Sequence, residues 1–132
     1  MTTWQPGMRI TAARLNDGLN PVTTSSGLTA ATGFSINSFS GYKQGRTTML
    51  DIYLTRTGAD LVLASGNLPD TQCATAPVGW RPTNGTINGA WDNGIVGGGF
   101  VIGTDGICTL RTSSGTISST TTLRLHIGFI QD

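Results

Sequence analysis

The sequence predicts an all-β protein, and three observations carry that prediction. Gly, Thr and Ser supply 19, 22 and 10 of the 132 residues, Glu is absent and Lys occurs once, so strong helix formers are scarce. Apolar and polar residues alternate over 46–56 and again over 123–130, the two-residue period of a strand with one buried face. Turn-forming pairs recur between the apolar runs, with Asn-Gly at Asn84, Asn88 and Asn93 and Asp-Gly at Asp105. About six short strands separated by turns fit an antiparallel β-sandwich, jelly-roll-like or Greek-key in topology.

Each element follows from its own residues. Thr11 can cap a short helix over 12–17, which Gly18 would end. One or two turns are not stable alone in water, so Trp4, Ile10 and Leu15 are expected to dock on another surface. The stretch 20–33, NPVTTSSGLTAATG, has no sustained periodicity and reads as an extended connector. The chain then divides into an attachment helix and connector, 1–32, and a head domain, 33–132. Within the head, Phe34 and Ile36 share a face of a strand over 34–40. The segment 46–56 places Leu50, Ile52 and Leu54 on one face and Met49, Asp51 and Tyr53 on the other.

A strand over 60–65 is expected next, reached through Thr57, Gly58 and Ala59. Residues 66–95, with Pro69, Pro77 and Pro82 and the three Asn-Gly pairs, read as mostly loop, with one short strand near Thr86 and Ile87. The runs 99–103 and 107–112 form a hairpin around Thr104, Asp105 and Gly106. In the final strand Leu123, Leu125, Ile127 and Phe129 face the core, and Arg124, His126, Gly128 and Ile130 face away. Cys108, beside Leu110 on one strand face, reads as a buried structural thiol, and Cys73 as a loop thiol.

Composition excludes several functions. The net charge is +1 and the seven Arg are dispersed, which leaves no cationic patch for nucleic acid. No apolar run reaches the roughly 20 residues of a membrane span, so no membrane insertion is expected. The opening MTTWQPGMRITAARL lacks the charged start and apolar stretch of a secretory signal, so export by that route is not expected. Two Cys and one His do not supply a zinc ligand set, and neither metal nor cofactor is expected.

Catalysis is not expected either. There is no Gly-x-Ser-x-Gly elbow, and the single His126 falls on a polar strand face, as an exposed or hydrogen-bonded histidine does. Asp51, in mid-strand, is explained by pairing with a neighbouring Arg. GIVGGGF, 94–100, superficially looks like a phosphate loop, but a strand rather than a helix follows it. Trp80, in PVGWRP, reads as a plug at one end of the fold. Trp91 and Asp92, between two Asn-Gly turns, offer an aromatic platform beside a hydrogen-bond acceptor, suited to a neutral cell-wall sugar. Tyr42, in SGYKQG, is a further aromatic read as lying on a turn. Met49 and Tyr53, together with 61–64, supply more apolar surface than a two-layer monomer hides, which implies self-association.

The opening TWQPGMRITAARLNDGL, through Trp4, Gly7, Thr11, Leu15 and Asn16, resembles the start of small tail proteins from phages of actinobacteria. GWRPTNG followed by GGGFVIGTDGICTL is similar to the Trp/Arg-Pro loop and Asp-Gly hairpin of phage fibre and receptor-binding heads. The resemblance implies a virion protein, assembled in the host cytoplasm, with a β-sandwich head and commonly a homotrimer. Its N-terminal segment, Trp4, Ile10, Leu15 and Asn16, would attach to other virion proteins. It carries over no catalytic residue. With no shaft between the two motifs, a compact tail-tip, collar or capsid-surface protein is expected rather than a long fibre. The leading expectation is a structural tail component that contacts the host surface through Trp91, Asp92 and Tyr42. A capsid decoration or head-spike protein and a stand-alone carbohydrate-binding module are the alternatives.

Overall fold

The computed structural model describes Thr3, residues 5–12 and residues 20–132. Trp4, Leu15 and Asn16 lie outside the described residues, as does all but Ala12 of the expected helix. The described elements are all strands: β1 (Val22–Thr24), β2 (Thr29–Ala30), β3 (Phe34–Gln44), β4 (Thr47–Arg56), β5 (Thr71–Thr75), β6 (Ile87–Asp92), β7 (Gly97–Ile102), β8 (Ile107–Leu110) and β9 (Thr122–Ile130). Hydrogen bonding runs unbroken through all nine in the order β1-β3-β4-β9-β6-β7-β8-β5-β2, with every neighbouring pair antiparallel. In place of the two separate sheets of a sandwich there is one curled sheet, a half-barrel. Four of its strands stand in the order β9-β6-β7-β8, three hairpin-linked strands and a fourth that returns beside the first, which is the Greek-key arrangement.

The curl has a covalent cause. β1 and β2, consecutive in sequence, occupy opposite ends of the sheet, and only residues 25–28 join them. The five Cα–Cα steps from Thr24 to Thr29 reach at most about 18 Å, so the two ends must approach. Leu28 in this strap is buried with the core, so residues 20–32, expected as a connector, are built into the same sheet as the head.

The inner wall is the face that alternation assigns. Leu50, Ile52 and Leu54 of β4 and Leu123, Leu125, Ile127 and Phe129 of β9 are all buried. Phe34 and Ile36 share a face, as expected, but continuing the same period would send Ser38 inward and Phe39 out. The β3–β4 register instead slips between Ile36 and Ser38, and this bulge at Asn37 returns Phe39 to the core opposite Ile52. Asn37 anchors itself to the Thr55 hydroxyl, its amide donating at 2.8 Å. The Asp105-Gly106 hairpin forms as expected, with Gly106 at φ +83° and Asp105 Oδ1 accepting the Ile107 N–H at 3.0 Å.

Three expectations are corrected. Residues 60–65 form no strand, only single bridges from Leu61 to Ile117 and from Ala64 to Asn67. The segment 66–95 contains β5 and all of β6 rather than one short strand. Cys73 is a buried strand residue, not a loop thiol, and lies beside Cys108, whose burial agrees with expectation. Its thiol donates to the Cys108 carbonyl at 3.4 Å.

Burial pushes both thiols up from the ordinary value of 9.0, Cys108 to about 12 and Cys73 further. The unfolded chain therefore loses these protons at lower pH than the folded one. The associated stability is complete below pH 9.0 and drains away as pH rises towards the folded values. Urea midpoints are expected to fall between about pH 9 and pH 11 in the native protein, and to fall less in a Cys73→Ala, Cys108→Ala variant. Equal slopes in the two proteins would refute the assignment.

Candidate functional site

The outer face of the same strands carries the polar residues that alternation excludes from the core. Cross-strand register aligns them in rows. Ser38, Tyr53, Arg124 and Asp92 form one row across β3, β4, β9 and β6, and Ser40, Asp51, His126 and Ala90 form the next. Tyr42, Met49 and Gly128 form a third, with Tyr42 42% and Met49 40% exposed. The β3, β4 and β9 members of the first two rows line a shallow depression of about 210 Å³.

Its side chains are held in place by one another. His126 Nδ1 lies 2.6 Å from Asp51 Oδ1, and since a carboxylate can only accept, Nδ1 carries the hydrogen. Both side chains are more than half exposed, so the pair contributes at most about 1 kcal/mol to folding. Its effect is to fix the imidazole. The Arg124 guanidinium lies over the Tyr53 ring, 3.9 Å from its centroid, a cation–π contact that restrains the fork. Asp92, opposite Arg124 in the register, accepts the Gly94 N–H at 2.7 Å.

A hydroxyl nucleophile would need to stand on the far side of His126 from Asp51. That position in the row belongs to Ala90, while Ser40 faces Asp51 from β3, so the row has the wrong order for a Ser-His-Asp relay. The arrangement can instead offer hydroxyl, carboxylate, imidazole and guanidinium groups to a ligand lying across the strands. No group of three or more metal-ligating side chains is present among the described residues.

The expected contact residues separate. Asp92 and Tyr42 share this outer face on different strands, and Tyr42 lies on β3 rather than in a turn. Trp91 does not join them. It sits in mid-strand on β6, points inward, is 3% exposed, and donates its indole N–H to the Thr112 carbonyl at 3.0 Å. A platform for a sugar it cannot be. Trp80 is buried as expected of a plug, stacked against Gly41 with Lys43 Nζ 4.4 Å from its ring centroid. Gln131 fastens the Trp80 loop by donating to the carbonyls of Gly79 and Arg81 at 3.2 and 2.7 Å. Ile10, an expected attachment residue, is exposed. Asp51 pairs with His126 rather than with an Arg.

Alternation alone places Asp51, Tyr53, Arg124 and His126 on polar faces without bringing them together. The missing information is the β4–β9 register, which joins positions 75 apart in the chain. Among the described residues no helix is long and apolar enough to cross a membrane. No protein-family model matches the chain, and no curated protein matches it either.

Proposed function

We propose that this chain is a structural and adhesive protein of a phage particle, placed at the tail, whose β-rich head turns the outer face of β3, β4, β9 and β6 towards the host. The observation that carries the adhesive part is the outward-facing row of Ser38, half-buried Tyr53, Arg124 and Asp92 beside Asp51 and His126, in the middle of a sheet whose other face is buried. Exposed polar rows of this kind add little to stability, and a rigid sheet holds them without an entropic cost on contact. The virion part rests on the resemblance of the opening segment and of the Trp/Arg-Pro loop and hairpin to phage tail proteins. In that reading the opposed walls of the curled sheet serve as the sandwich of a compact head. Trp4, Ile10, Leu15 and Asn16 attach it to neighbouring virion proteins, and three copies assemble together.

Labelling the protein on intact particles tests this reading. Label at the tail is expected, and particles carrying the Tyr53→Ala, Arg124→Ala protein should adsorb to host cells about tenfold more slowly. Label confined to the capsid, or unchanged adsorption by correctly assembled variant particles, would reject it. Light scattering at micromolar concentration should give three times the chain mass, and a clean monomer would remove the trimer.

A further inference from the structure

The depression over β4 and β9 does not end at His126. Its register partner on β6 is Ala90, and the partner of Ala90 on β7 is Gly99. Beyond Gly99 lies a second depression, of about 400 Å³, closed by Arg111 and Thr112. Only Ala90 stands in the register between His126, which lines the first hollow, and Gly99, which lines the second, and its small side chain lets one extended ligand span both along a trough crossing five strands from β3 to β7. At about 4.8 Å between strands its floor is about 19 Å long. From this geometry we infer that the trough binds a neutral linear polysaccharide laid across the strands, an inference that rests on the adhesive reading above and names its ligand.

Three features select that occupant. Each arginine along the trough has a carboxylate near it, Arg111 pairing with Asp70 at 2.8 Å and Arg124 facing Asp92 in the register, while Asp51 accepts the His126 Nδ1–H at 2.6 Å. A polyanion would meet a carboxylate beside every cation, whereas a neutral chain of vicinal hydroxyls finds a donor and an acceptor side by side. The guanidinium over Tyr53 is already restrained, so its fork can donate to neighbouring hydroxyls with less loss of freedom. Finally, the backbone groups beneath the trough are engaged in the sheet ladder, so an extended peptide would find no main-chain partners there.

The test uses the purified full chain on an immobilised panel of neutral polysaccharides, such as dextran, mannan and arabinogalactan, and their sulfated counterparts. Binding confined to neutral members and insensitive to salt between about 50 and about 500 mM is expected. Preference for the sulfated members, or binding to none, overturns the inference. Two variants locate the site. Ala90→Ile fills the trough with a good strand former and should weaken binding about tenfold without lowering the unfolding midpoint. Arg124→Lys keeps the charge but loses the flat fork and should also weaken it. Full binding by either variant shows that the ligand lies elsewhere. Polysaccharide binding by a protein that the particle label places off the tail would retain this inference while rejecting the tail assignment. Tail label without polysaccharide binding would do the reverse.

Discussion

Replacing Gly98 with Ala is expected to destabilise the protein by about 3 kcal/mol or more, the upper range for forcing an atom into an occupied site. A Cβ at this position would stand 1.9 Å from the Thr112 carbonyl oxygen and 2.6 Å from its carbon. Both are backbone atoms, so no side chain can swing aside. The same oxygen accepts the Trp91 indole N–H, and Trp91 is the register partner of Gly98. The bare glycine lets the 111–115 segment lie close enough to β7 for that bond to form. An added methyl would push the segment away and leave a buried indole N–H unsatisfied. Urea unfolding measures the loss. Gly128→Ala is the matched control, because its nearest non-neighbouring heavy atoms are 3.8 and 3.9 Å from the added carbon. Equal stability of the two variants would contradict the close approach.

Truncating Phe100 to Ala is expected to cost about 3–5 kcal/mol, through lost burial and the cavity left behind. Phe100 is 1% exposed on β7, between Gly89 of β6 and Leu110 of β8. Its ring covers Gly89 so closely that a Cβ there would meet Cε1 at 2.6 Å. The walls cannot collapse into the gap, because both flanking strands are bonded on each side. Val101→Ala, on the opposite face of the same strand, should cost less than about 1 kcal/mol. A Phe100→Ala loss no larger than that would mean the inner and outer faces of β7 are wrongly assigned.

Legibility in the sequence follows the length of each strand's alternation. Leu50, Ile52 and Leu54, and Leu123 to Phe129, are readable as inner faces because each run keeps its period over its whole length. Over 34–44 the bulge at Asn37 changes the phase, and no local signal announces it. Asn88-Gly89 and Asn93-Gly94 look alike as dipeptides, yet only the second turns the chain, where Asn93 Oδ1 accepts the N–H groups of Ile95 and Val96. Asn88-Gly89 lies within β6, its glycine required by the Phe100 ring rather than by a turn. Reading both as turns puts Trp91 in a loop and exposes it. The apolar run 60–65 misleads in the other direction, since composition alone does not show that its backbone finds only isolated partners. The residues of the trough are visible singly. Their assembly depends on pairings between β4, β9, β6 and β7, three-dimensional facts that no window of sequence contains.

The position of β9 sets the order in which this protein can come into being. It stands between β4 and β6, and so joins the β1-β3-β4 part of the sheet to the β6-β7-β8-β5-β2 part. Yet every strand of both parts precedes it in the chain. Until residues 122–130 have left the ribosome, the apolar stripe of Leu50, Ile52 and Leu54 has an open edge, and the two parts are joined by chain connections alone, at 25–28, 31–33 and 57–70, without the ladder that β9 supplies. Closure waits for that last pairing, which makes folding a slow event governed by contacts between distant positions. A chain cut short before residue 122 keeps the connections between the two partial sheets but lacks the strand that pairs with both, and leaves that edge open to pairing with another chain.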